Sequence, residues 1–255
     1  MLKVNHKQIK KGFTLAEILI TLGIIGVVAA ITIPTLIANT RSQQYRIKFK
    51  KAVSTLSQAA KMSNAQYDFD YAGIDAKCSQ NPQKDHPDNI RSICALINGT
   101  LTGATYYDNV TDIKMNIKSA FGNYNANYGP YLSSNGAFNI ANFRAYMLND
   151  GTIIAIHKGL STNCALSIGE TMKDYTADYN DTTTLNQCLG FIDVNGPTLP
   201  NKEVSCSSGS NSLKKNDCIV KNDAQHMTDI YPIRFHDQIV EPASAAARYI
   251  LKSTK

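Results

Sequence analysis

Between Phe13 and Thr40 the chain carries one charged side chain, the carboxylate of Glu17. Placing an ionised acid that far inside an apolar run costs roughly 3 kcal/mol on membrane-insertion scales, so Glu17 calls for a functional explanation. The other reactive set is six cysteines, Cys78, Cys94, Cys164, Cys188, Cys206 and Cys218, all of them beyond the apolar run. An even number confined to that part suggests disulfides formed in an oxidising compartment. Six cysteines allow fifteen pairings. Nearest-neighbour pairing is the expectation: Cys78–Cys94, Cys164–Cys188 and Cys206–Cys218, each closing a loop within one polar region. Chain entropy credits loops of this length with roughly 3 kcal/mol each. No Cys-x-x-Cys spacing occurs, which argues against a zinc site.

Beyond these groups the sequence offers little chemistry. The histidines, His6, His86, His157, His226 and His236, are scattered. Gly-x-Ser-x-Gly, P-loop and His-Glu-x-x-His patterns are all missing, and an enzyme is not expected. Asn-x-Thr sequons at Asn98, Asn109 and Asn180 match chance for so Asn-rich a chain. The formal net charge is +6, yet Lys3, Lys7, Lys10 and Lys11 precede the apolar run and account for most of it. The basic balance is therefore poor support for a nucleic-acid surface.

The element that must position Glu17 is the apolar run itself, which exceeds the ~20 residues needed to span a bilayer as a helix. A secretory signal has a shorter core with its cleavage site after it. Here the conspicuous glycine, Gly12, lies before the apolar segment, behind a short basic head. A plain signal anchor has no use for Glu17. Lysines ahead of the run favour a cytoplasmic N-terminus, but Arg41, Arg46, Lys48, Lys50 and Lys51 follow it and nearly balance them. Gly23, Gly26 and Pro34 interrupt the run; Pro34 removes one helical hydrogen bond and crowds the carbonyl of Ala30, which favours a kink.

Lys10-Lys11-Gly12 followed by Phe13-Thr14-Leu15-Ala16-Glu17, an apolar helix and Pro34 resembles the class III leader and N-terminal helix of type IV prepilins and of type II secretion pseudopilins. The resemblance covers about the first fifth of the chain. It implies cleavage between Gly12 and Phe13 by a prepilin peptidase, N-methylation of the new Phe13 amine and assembly with other pilin or pseudopilin subunits on an inner-membrane platform. It also implies a role for Glu17, pairing with the Phe13 amine of a neighbouring subunit. A buried pair of that kind is a better register device than a source of stability. In related filaments the segment between the matching glycine and proline can lose its helicity, which bears on Gly23, Gly26 and Pro34. The leader would stay in the cytoplasm and the C-terminus would lie outside, first in the periplasm and then in a periplasmic or surface filament. Removing four lysines with the leader takes the charge from +6 to about +2. Some major pseudopilins bind calcium in a loop near the end of the sheet, and Asp193 and Asn195 could supply oxygen ligands. A strand-ending Asx turn accounts for the same residues, and no other cofactor is expected.

The domain division that follows is a leader, 1–12; a transmembrane and filament-core helix, 13–40; and a pilin-like outer domain, 41–255. Within the outer domain, 41–67 continues the first helix. Tyr45, Phe49, Ala52, Val53, Leu56, Ala59 and Ala60 recur at three- and four-residue steps, with Arg46, Lys50, Lys51 and Lys61 assigned to the other face. Asn81 to Asn89 reads as a surface loop closed by Cys78 and Cys94, and Ile113 to Phe121 as a short helix. Phe143–Leu148 and Thr152–His157 flank Asn149-Asp150-Gly151, a hairpin signal. Further strands are expected over Cys188 to Val194 and over Ile230 to Val240, with Tyr231, Ile233 and Phe235 on one face and Arg234 and His236 on the other. Ala243 to Leu251 reads as a terminal helix started by Pro242. The expected class is α+β, a long helix packed on an antiparallel sheet with disulfide-containing loops. The functions in view are a structural subunit of a type II secretion pseudopilus or type IV pilus-like filament, a surface minor pilin for adhesion, motility or DNA uptake, and a monomeric membrane-anchored binding protein.

Overall fold

The computed structural model describes residues 12–113, 142–160, 164, 188–210, 213, 216–221, 223 and 226–253. The first helix, α1 (Leu15–Tyr67), runs 53 residues without a break and contains Pro34. At 1.5 Å per residue it is about 80 Å long. Its two halves obey different physics. Large apolar side chains from Leu15 to Ile37 are exposed within the chain, a length of about 34 Å that matches a bilayer core. Among the described residues α1 is the one helix long and apolar enough to cross a membrane.

From Ser42 onward a stripe forms. Tyr45, Phe49, Ala52, Val53, Leu56, Ala59 and Ala60 are buried, as the spacing predicts, and full burial of Phe49 or Leu56 contributes about 1.5–3 kcal/mol each. Arg46, assigned by sequence to the exposed face, is buried too: its position one turn from Ser42 and Phe49 puts its stem on the stripe, and its Nη1 donates to Ser253 Oγ at 3.4 Å. The helix stops at Asp68, whose left-handed backbone (φ 57°) turns its N–H onto Asn64 O.

Among the described residues six strands form one sheet in sequence order: β1 (Thr105–Tyr107), β2 (Phe143–Met147), β3 (Ile153–His157), β4 (Leu189–Asp193), β5 (Ile230–His236) and β6 (Ile239–Pro242). Every neighbouring pair is antiparallel. The β2–β3 hairpin turns at Asn149-Asp150-Gly151, where Gly151 takes φ 79° and donates to Leu148 O; this is the three-residue loop in which glycine fills the left-handed position.

The sheet is covered on both faces. Ile154, Ile156, Ile192, Tyr231, Ile233 and Phe235 meet α1 in the main core, with Phe49 stacked on Tyr231 at 4.3 Å. Phe143, Ala145, Ile153, Ala155, Phe191 and Ile230 form a second cluster with Val110 and Ile113. The two-sided cover explains why β4 and β5 are buried along their whole length. On β5 Tyr231, Ile233 and Phe235 share the α1 face and Arg234 and His236 lie on the other, as expected, and the second cover buries that other face as well. Gly190 on β4 is required by close approach: a Cβ there would lie 2.4 Å from Ala155 O and 2.9 Å from the Phe235 ring.

Other expectations are revised as well. The single strand over 230–240 is a hairpin, because Asp237 adopts φ 47° and reverses the chain between β5 and β6. Pro242 ends β6 instead of starting the last helix, α3 (Ala245–Lys252), which Ser244 caps by accepting from Ala247 N–H at 3.1 Å. The loop over 81–89 holds a 3-10 turn, Pro82–Lys84, and leads into α2 (Ile93–Thr100), an unanticipated helix capped by Ser92. Ile113 is extended and follows the 3-10 turn Val110–Asp112; the rest of the helix expected over 113–121 lies outside the described residues. α3 packs on α1 and β6.

Candidate functional site

The N-terminal site is assembled by four consecutive chain features. Gly12, Phe13 and Thr14 are non-helical and exposed, so the Gly12–Phe13 peptide bond lies outside the helix, where a peptidase can reach it. Phe13 is 86% exposed. Helix α1 then starts with a reciprocal capping box: Glu17 N–H donates to Thr14 Oγ1 at 3.3 Å, and Thr14 N–H donates to Glu17 Oε2 at 2.8 Å. The Thr14 hydroxyl donates to the same carboxylate oxygen at 2.8 Å. Sequence reading singled out Glu17 and passed over Thr14, although Thr-x-x-Glu ahead of an apolar run is the signature of this cap. The box fixes the Glu17 carboxylate at the helix entrance, beside the residue whose amine cleavage would create. Both Thr14 bonds fall on Oε2.

Gly23, Gly26 and Pro34 lie on the bare half of α1. A side chain at either glycine would meet nothing within 4 Å, so neither glycine is needed for packing inside the chain. The helix passes through Pro34 unbroken. Thr21, Thr32, Thr35 and Thr40 donate their hydroxyls to carbonyls three or four residues back. The polar atoms of these threonines are thereby satisfied along an otherwise apolar surface.

All six cysteines are bridged as Cys78–Cys94, Cys164–Cys188 and Cys206–Cys218, the nearest-neighbour set. Cys78 and Cys94, with Asp85, fall within 4.8 Å of one another, but both sulfurs belong to the bridge.

Asp193 and Asn195 occupy the end of β4. Asp193 Oδ1 accepts from Asn195 N–H (3.0 Å) and Gly196 N–H (2.9 Å). The Asn195 amide donates to Thr198 O and Leu199 O. These bonds make the segment a strand-ending Asx turn. Asp229, which sequence reading did not single out, lies against it: its carboxylate accepts from Asn201 N–H and Lys202 N–H. Both acids are fully buried. Burial, followed by the charge of Asp229, pushes the Asp193 carboxyl well above the usual range; burial raises Asp229 to about 6. The nearest cation on α1, Lys48, gives its ammonium to Val194 O at 3.1 Å.

Among the described residues the histidines do not converge; His6 lies outside them. His157 ends β3 and accepts from Gly159 N–H at Nδ1; His226 meets Asp223; His86 meets Asp88. His236 lies between Asp237 and Glu241, which raise its pKa against the opposing effect of burial.

Residues 7–33 match the family model for the prokaryotic N-terminal methylation motif. No curated protein and no solved structure matches the chain. The matched segment contains the whole site just described, from the basic head through Gly12, Phe13, Thr14 and Glu17 to the residue before Pro34. The N-terminus of this chain therefore carries the class III leader and methylation motif of type IV pilins and pseudopilins, which implies processing by prepilin peptidase and assembly with other pilin subunits; the apolar half of α1 behind it supplies a single N-terminal membrane anchor, and the fold that follows is α+β and pilin-like.

Proposed function

We propose that this protein is a structural subunit of a type II secretion pseudopilus or a type IV pilus-like filament, polymerised through α1. The observation that carries the reading is the division of α1: a bare apolar half headed by a capped carboxylate, continuous with a half that is built into a folded domain. An apolar surface of that length needs lipid before assembly and other helices after it. In the filament the Glu17 carboxylate meets the Phe13 amine of a neighbour, and any axial offset leaves a buried charge unpaired. The leader faces the cytoplasm and the outer domain faces the periplasm; three disulfides in the outer domain support that orientation. Prepilin peptidase and the inner-membrane assembly platform are the processing and assembly partners, and the subunit itself catalyses nothing.

The test is Glu17→Leu expressed in the native host. The expected result is normal cleavage after Gly12 and normal membrane insertion, with subunits missing from sheared filaments. Filament yield equal to that of the wild type would overturn the role of Glu17. Cysteines introduced near Phe13 and Glu17 supply a second readout: a ladder of crosslinked subunits is expected, and a monomeric anchored protein gives none.

A further inference from the structure

Arg144 on β2 is 9% exposed and faces α2. Its Nη1 donates to Cys94 Sγ at 3.4 Å, and its Nε is buried with no hydrogen-bond partner. Among the described residues no carboxylate forms an ion pair with it. A largely buried guanidinium whose hydrogen-bond acceptor is a neutral disulfide sulfur, with no carboxylate bonded to it, favours an anion at that sulfur. Cys94 is the second residue of α2, where the unsatisfied N–H groups of a helix start favour negative charge. Two independent features thus stabilise an anion at one sulfur of the Cys78–Cys94 bridge. The opposing group is Asp85, whose carboxylate lies within 4.8 Å of both sulfurs and accepts from Ser79 N–H and Ser92 Oγ–H. Tyr106 and Tyr146 lie near Arg144 as neutral phenols, which burial pushes further above their ordinary value of about 10.

The two sulfurs also differ in access. Cys94 is fully buried, whereas Cys78 is half-buried in the surface loop. We propose that Cys78–Cys94 is a thiol–disulfide exchange site, attacked at Cys78 Sγ by the thiolate of a dithiol reductant, with Cys94 leaving as a thiolate paired to Arg144. In the first step a bond forms between the reductant sulfur and Cys78, and the Cys78–Cys94 bond breaks with its electron pair on Cys94. In the second step the reductant's other thiol attacks the mixed disulfide and Cys78 leaves. The reductant ends as a disulfide and the two cysteines end reduced. A leaving thiol of lowered pKa departs faster.

The full-length protein in detergent is pulsed with dithiothreitol, quenched with an alkylating agent and mapped by mass spectrometry. Cys78–Cys94 is expected to open before the other two bridges, with early adducts on Cys78 and alkylation on Cys94. Arg144→Met should slow that opening by roughly three- to tenfold and leave the rates of the other two unchanged. Thiolate absorbance in Cys78→Ser protein gives a readout that a structural role for Arg144 does not move. The Cys94 midpoint should lie below the ordinary thiol value of about 8.5, rise in the Arg144→Met background and fall in the Asp85→Asn background. If Arg144→Met does not fold, the Asp85→Asn shift carries the test. Earlier opening of another bridge, or a Cys94 midpoint at or above the ordinary value, would overturn the proposal.

Discussion

Asp193→Asn should stabilise this protein at neutral pH and do little in acid. Asp193 and Asp229 are buried side by side, and each is already bonded to two backbone N–H groups of the 193–202 loop. Both carboxyls sit above their unfolded value of 3.8 in the folded chain, Asp229 at about 6. The folded state therefore binds more protons than the unfolded state above pH ~4, and stability falls as pH rises through the folded values. For Asp229 alone, a move from 3.8 to about 6 amounts to ~3 kcal/mol lost once the group is ionised. Asparagine keeps the Oδ1 that accepts from Asn195 and Gly196, removes one of the two charges and turns an amide toward Asp229. A gain of ~1–3 kcal/mol is expected at pH 7.5, which raises Tm by roughly 3–10 °C in a domain of this size. At pH 4.5, where the wild-type pair is protonated, the gain should shrink to under ~1 kcal/mol. Thermal melts of the detergent-solubilised protein by near-ultraviolet circular dichroism, run at both pH values, measure this. A variant less stable than wild type at pH 7.5, or equally stabilised at both, would refute the reasoning.

Gly190→Ala should destabilise by ~1–3 kcal/mol or more, seen as a lower denaturant midpoint, because the new methyl meets Ala155 O and the Phe235 ring. Ser244→Ala removes the α3 cap and should lose about 1 kcal/mol; the same melts read it, with Ser244→Asp restoring most of the loss. Millimolar calcium or a chelator should leave Tm unchanged, since Asp193 Oδ1 already holds two N–H groups and is sealed from solvent; a rise of several degrees with calcium counts against this.

The features legible from sequence were those written locally. The 3–4 spacing from Tyr45 to Ala60 gave the buried stripe of α1, Asp150-Gly151 gave the β2–β3 turn, and cysteine order gave the pairing. What escaped depends on contacts between distant segments or on small side-chain choices. α2 is only eight residues long, too short for a full periodic signal, and was masked by the polar loop before it. The reversal at Asp237 hid inside a run that alternates well, because no glycine marks it. Burial of Arg234 and His236 depends on a second cover over the sheet, which no local pattern encodes. At the candidate site Gly12, Phe13 and Glu17 were readable from type and order. Thr14 carried an equally plain signal that was overshadowed by the acid it caps. Asp229 could not be linked to Asp193 by spacing, since β4 and β5 bring them together across a separation of 36 positions (229 − 193), roughly a seventh of the chain.

The three bridges span 16, 24 and 12 positions and never overlap. For an outer domain that crosses into an oxidising space in sequence order behind an N-terminal anchor, this order has a kinetic meaning. Cys78 emerges and waits; the next cysteine to appear, Cys94, is its native partner, and the same holds for Cys164 with Cys188 and for Cys206 with Cys218. An oxidase that joins whichever two thiols are available as they arrive produces the native set without reshuffling. Oxidative maturation of the outer domain can then keep pace with translocation, and a disulfide isomerase becomes dispensable.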